Sequence, residues 1–141
     1  MKISNNIYFA LWADAINYER LKNGGEGYWK WFTFIYMTAL HGFNILTFYL
    51  IIKVVTGFNI TKYTNNWFFI FEKESHNGLC WSFFMMYIPC MLIIYFVIFY
   101  KRKYKDILKQ YPFQNGKLLI IYCLGTFVFM FISMWLNKSY R

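Results

Sequence analysis

The sequence predicts an all-α membrane protein: three transmembrane helices preceded by an amphipathic helix lying on the membrane surface. Three observations predict it. The 141 residues are 59% hydrophobic and 26% aromatic but only 15% charged, where a soluble domain carries about 25% charge. Mean hydropathy is positive, +0.31. The apolar residues fall into three uncharged stretches, 31–52, 79–100 and 118–137. Each reaches the roughly 20 residues that a helix needs to cross a hydrocarbon core.

The chain divides accordingly. Residues 1–27 form the surface helix and a Gly-rich turn, and 28–141 form the three-span bundle. An outer connection, 53–78, joins the first two spans, and a basic inner connection, 101–117, joins the last two. Trp29, Lys30, Trp31, Trp81, Tyr100, Lys101, Trp135, Lys138 and Tyr140 flank the spans, the residue types that suit the two membrane–water interfaces.

The opening segment, "MKISNNIYFALWADAINYERLK", is too charged to be a fourth span. Its longest uncharged run, 3–13, is about 11 residues, half the required length. On a helical wheel Lys2, Asn6, Asn17 and Arg20 gather on one arc, with Ile3, Ile7, Leu11, Tyr18 and Leu21 on another. That pattern reads as an interfacial helix, except that Asp14 falls on the apolar arc. The alternative is a cytosolic helix packed against the other loops. "NGGEG" at 23–27 then lets the chain turn. The segment lacks the apolar core and small-residue cleavage site of a signal peptide.

Direction follows from the basic residues. Residues 101–117 hold six Lys and Arg, and 53–78 hold three. The positive-inside rule therefore places 101–117 and the amino terminus in the cytoplasm and the carboxyl terminus outside. Lys138 and Arg141 weigh against that direction. The formal net charge of +9 has the same origin. It sits beside apolar spans rather than on the face of a nucleic-acid module, so nucleic acid is not an expected partner. Lys101, Arg102, Lys103 and Lys105 are the expected contacts to anionic lipid heads. Pro112 and Asn115-Gly116 mark the turn back into the third span.

The polar residues inside the spans are the candidate interaction sites. His41 and Asn44 lie on one face near the middle of the first span. There they pack against protein or line a wet cavity rather than face lipid. Thr38 and Gly42 form a small-xxx-small pair that admits another helix. Tyr122, Thr126, Ser133 and Asn137 form a stripe on the third span, with Gly125 close by, and the hydroxyls of the first three are expected to meet His41 and Asn44. These two groups are the helix-packing or pore-lining candidates. Pro89 is expected to kink the second span.

The outer connection carries an apolar "WFFIF" at 67–71, suited to the interface or to a partner, and an acceptor triplet "NIT" at 59–61. The odd cysteine count (Cys80, Cys90 and Cys123) and the lack of any C-x-x-C pair argue against disulfides and structural zinc. No P-loop, G-x-S-x-G or H-E-x-x-H motif occurs. All six acids lie outside the spans. No cofactor or enzymatic activity is expected. Rich in Lys, Asn, Ile, Tyr and Phe, the chain has the composition of an AT-rich genome and of a bacterial inner-membrane protein.

The expected function is non-enzymatic: helix-mediated binding to another membrane protein, as an accessory subunit or an immunity protein. The alternative is a self-associating pore or membrane-disrupting effector, which needs several copies because three helices cannot enclose a sizeable channel.

Overall fold

A computed structural model describes residues 6–22, 24, 27–58 and 74–139, with side chains from 84 onward in the last stretch. The "NIT" triplet, "WFFIF" and most of the outer connection lie outside the described residues, as do the side chains of His76, Cys80 and Trp81.

The described residues are helical, with no strand among them. Helix α1 is Ile7–Lys22 and α2 is Trp29–Thr56. Helix α3, Glu74–Ile94, widens into a π-helical turn at Tyr95–Phe99 and a 3-10 turn at Tyr100–Arg102. The short α4 is Tyr104–Gln110, and α5 is Lys117–Ser139. Three segments are long and apolar enough to cross a membrane: Trp29–Thr56, Phe84–Arg102 and Lys117–Ser139. The described residues form two compact units, one within Met1–Met37 and Ile93–Gly125, the other within Thr38–Leu92 and Thr126–Arg141.

The helix ends follow local chemistry. Asn6 starts α1 by accepting the Tyr8 amide on its Oδ1 at 2.9 Å, a side-chain N-cap. Gly57, with φ +68°, stops α2 while its amide donates to the Lys53 carbonyl at 3.0 Å, as left-handed glycines commonly do at helix C-termini. In α3 the helix runs unbroken through Pro89. One missing amide deprives a single carbonyl of its bond and does not end a helix. The departure from α geometry comes later, at 95–103. There Lys101 and Arg102 both take positive φ, 52° and 59°, and the Lys103 amine donates to the Phe96 carbonyl at 3.2 Å.

Helix α1 differs most from expectation. Residues 11–16 are all buried in succession. Six successive residues cover more than one and a half helical turns, so no side of α1 is open at that level. A helix resting on a surface leaves one face exposed. Here α1 packs against α4. The Trp12 ring meets Phe99 edge-on, with centroids 6.1 Å apart, and Phe99 in turn meets Phe34 of α2 at 5.6 Å. The Tyr36 hydroxyl donates to the Ala15 carbonyl at 3.2 Å. The wheel's apolar arc is not an apolar face: its central member Asp14 is wholly buried, while Ile7 and Leu21 at the two ends are exposed.

Candidate functional site

In an apolar span a hydroxyl needs a partner, and its own helix is the nearest source. Thr33 donates to the Trp29 carbonyl at 2.8 Å, Thr47 to Phe43 at 2.9 Å and Ser133 to Met130 at 2.8 Å. The proton of Ser133 is therefore directed at its own helix rather than at the first span. The Thr126 Oγ1 is buried without a hydrogen-bond partner, so it does not make the expected bond to His41 or Asn44 either. Because the orphaned hydroxyl carries a desolvation cost, Thr126→Val is expected to be neutral or stabilising by up to about 1 kcal/mol. Thermal unfolding in detergent measures this directly.

The second unit shows what the first span meets. Thr38 is wholly buried and His41 and Asn44 are half-buried. Gly42 faces α3: a Cβ built there lies 3.8 Å from the Tyr87 ring and 3.9 Å from the Met86 carbonyl. The adjacent Phe43 ring lies 6.0 Å from Phe127 of α5. The first span thus touches both of the others in this unit. The small-residue contact is to the second span, where the sequence pointed to the third. Those Cβ distances are ordinary van der Waals contact, so Gly42→Ala is expected to be tolerated. It gains close to the 1 kcal/mol by which alanine outranks glycine in a helix, read as an unchanged or raised melting temperature. Asn137 is half-buried in the second unit, and Tyr122 is half-buried in the first.

The first unit holds the most specific polar arrangement. The first four amides of a helix have no partner within it. Helix α5 starts after Gly116, which offers no side chain to cap them. Asp14 of α1 does so instead. Its Oδ1 accepts the amides of Gln114 and Gly116 at 2.9 and 3.0 Å. Its Oδ2 accepts those of Leu118 and Leu119 at 2.9 and 3.3 Å. The Lys117 amide donates to the Gln114 carbonyl at 3.1 Å, and Ile120 opens the helical ladder to Gly116 at 2.9 Å. From Gly116 to Ile120 every amide is thereby satisfied. The carboxylate also lies at the positive end of the α5 dipole.

The turn before α5 is built to receive it. Asn115 and Gly116 both have positive φ, 55° and 76°. With the Gln114–Lys117 bond, they have the signature of a type I′ turn. Gly116 also carries Tyr18 of α1: a Cβ there would stand 2.8 Å from the Tyr18 Cδ2. Further along, the Asn6 amide donates to the Tyr111 hydroxyl at 3.1 Å. Helix α1 is thus fastened to the α4–α5 connection at Asn6, Asp14 and Tyr18.

The four expected lipid contacts separate. All are exposed. Lys101 and Arg102 sit on left-handed backbone, Lys103 bonds Phe96, and Lys105 alone lines a cleft. That cleft brings Lys105 together with Arg20, Lys30 and Lys109 over Trp29 and Tyr104. Lys109 lies one turn along the same helix from Lys105, while Arg20 and Lys30 come from α1 and α2, and only the fold brings them to it. Among the described residues no three His, Cys, Asp or Glu side chains converge as a metal site would require.

Fold and site together define a small all-helical protein with three helices able to span a membrane and a packed helical brace at the start of the third. No protein-family model matches the chain, and no curated protein or solved structure is detectably similar to it.

Proposed function

We propose that the protein is a non-enzymatic integral protein of a bacterial inner membrane that acts by binding another membrane protein through its helices, as an accessory or immunity-type partner. The observation that carries this reading is the open face of α5. Only 17% of its apolar window is buried within the chain. Ile121, Leu124, Val128, Phe131 and Trp135 are exposed. Among them Gly125 leaves a notch: apart from its chain neighbours and its own helix backbone, no atom of the described residues lies within 4 Å of a Cβ built there. Small residues on an exposed span let a second helix approach closely.

In this reading the six basic residues of 101–117 keep that connection cytoplasmic, and α1 lies at the cytoplasmic boundary, held by the inner turn rather than by lipid. Gentle extraction followed by mass measurement of the intact particle tests the proposal. A second protein at fixed stoichiometry is expected, and Gly125→Leu should release it while leaving the melting temperature of the free chain unchanged or raised, since leucine outranks glycine in a helix. A particle containing only this chain, in one copy at every gentle extraction, contradicts the proposal. Several identical chains would instead support the self-associating pore.

A further inference from the structure

We propose that the cleft between α1, the start of α2 and α4 binds the phosphate of an anionic phospholipid headgroup. The cleft has a volume of about 400 Å³, within the roughly 300–1,000 Å³ of small-ligand sites. Four cations line it, Arg20, Lys30, Lys105 and Lys109, and no acid does so among the described residues. Aromatic rings hold two of these cations. The Arg20 guanidinium lies 5.8 Å from the Trp29 ring centre, and the Lys30 amine lies 5.6 Å from both Trp29 and Tyr104. The two rings meet edge to face at 5.5 Å, which fixes them as a floor.

The way the cations are held decides the ligand. A carboxylate partner would cancel a cation's charge. A ring face attracts the cation through its quadrupole and leaves the net charge in place. The cleft therefore concentrates positive charge that an incoming anion can neutralise. Four cations exceed what one carboxylate balances and suit a phosphate ester, whose oxygens accept several charge-assisted bonds. The depth of the site selects the source. Trp29 and Lys30 immediately precede the uncharged stretch 31–52, and Lys105 and Lys109 soon follow 79–100. With the spans inserted, these residues lie at headgroup level, where basic pockets between helices recognise anionic lipid heads. The inference rests on the proposed membrane placement but not on the proposed protein partner.

The test uses the full chain in nanodiscs of phosphatidylcholine containing a minor fraction of phosphatidylglycerol. Lipid retained on the released protein is counted by native mass spectrometry. Two double variants remove the same charge: Lys30→Gln/Lys109→Gln within the cleft and Lys53→Gln/Lys138→Gln outside it, in the last turns of α2 and α5. The wild type is expected to retain phosphatidylglycerol in preference to phosphatidylcholine. The cleft pair should weaken that retention on the order of 30-fold, the effect of two cations at a charged membrane surface. The outside pair should leave it nearly unchanged. Equal losses in both pairs, or no preference for phosphatidylglycerol, would overturn the proposal. Lys109→Gln alone, at an exposed position, serves if the Lys30 substitution disturbs the Trp29 floor, and circular dichroism checks folding. Added inorganic phosphate separates the sources: retention in its presence is expected of a lipid site. Binding of phosphate in pure phosphatidylcholine, lost in the cleft pair, would overturn the lipid assignment in favour of a soluble phosphate ester. Failure of the protein to enter the nanodiscs would count against the membrane placement, and the proposal would fall with it.

Discussion

Asp14→Ala is expected to lower stability by about 3–5 kcal/mol, a large fraction of what holds a typical domain together. The carboxylate is wholly buried and accepts four amides. Hydrogen bonds to a charged group contribute about 1.5–3 kcal/mol each, though not additively, and amides left buried without a partner cost about 1–3 kcal/mol each. Water repairs part of the loss at Gln114, which is exposed, and little of it at Leu119, which is buried. Asp14→Asn should rescue poorly. An asparagine keeps one acceptor oxygen but turns its NH₂ donors toward two of the four amides. Thermal unfolding of the purified chain in detergent measures both variants. Asparagine performing like the wild type would show that charge and acceptor count do not matter here.

Gly116→Ala should have the next largest effect, roughly 2–3 kcal/mol. Two causes add. An L side chain at φ +76° costs about 1–2 kcal/mol. The new Cβ would also stand 2.8 Å from the Tyr18 Cδ2 and 3.6 Å from its Cγ. The ring would have to move near its root, not only at its tip. The causes can be separated, because Tyr18→Ala removes the clash and leaves the backbone strain. The double variant should therefore be less destabilised than the sum of the two single ones, a coupling that a double-mutant cycle reads directly. Strict additivity would mean that the ring is not in contact. Asn115→Gly, at the neighbouring left-handed position, should be nearly neutral.

These two residues show what sequence reading can and cannot reach. The three membrane-length helices were legible because an uncharged run of sufficient length is a local signal. Asn115-Gly116 was legible as a turn for the same reason. Asp14 was visible only as a flaw in a helical wheel. Its partners lie about a hundred residues away, and no local pattern points to them. One signal was present in two halves: a buried helix start at Gly116 with no capping side chain, and an acid without a purpose in α1. Matching orphan donors to an orphan acceptor would have joined them.

The surface-helix expectation for α1 had a related cause. An apolar arc shows that a face will be covered, not whether lipid or the chain's own turn covers it. The cross-helix bonds expected of Thr126 and Ser133 rested on spacing alone, and spacing does not show that a span hydroxyl can bond its own preceding turn, as Ser133 does, or be buried without a partner, as Thr126 is. The basic cleft was legible in part. Lys105 and Lys109 stood one turn apart within a charge run, but Arg20 and Lys30 joined them only through folding.

The central claim is that α1 is an internal brace of the folded chain, holding the start of α5 through Asp14. Amide hydrogen exchange on the membrane-embedded wild type and Asp14→Ala proteins, followed for the peptide spanning 114–119, tests it most directly. Strong protection in the wild type that collapses in the variant, with 126–137 of the same helix still protected, is the predicted result. Equal protection of 114–119 in both proteins would contradict the claim and return α1 to the membrane surface.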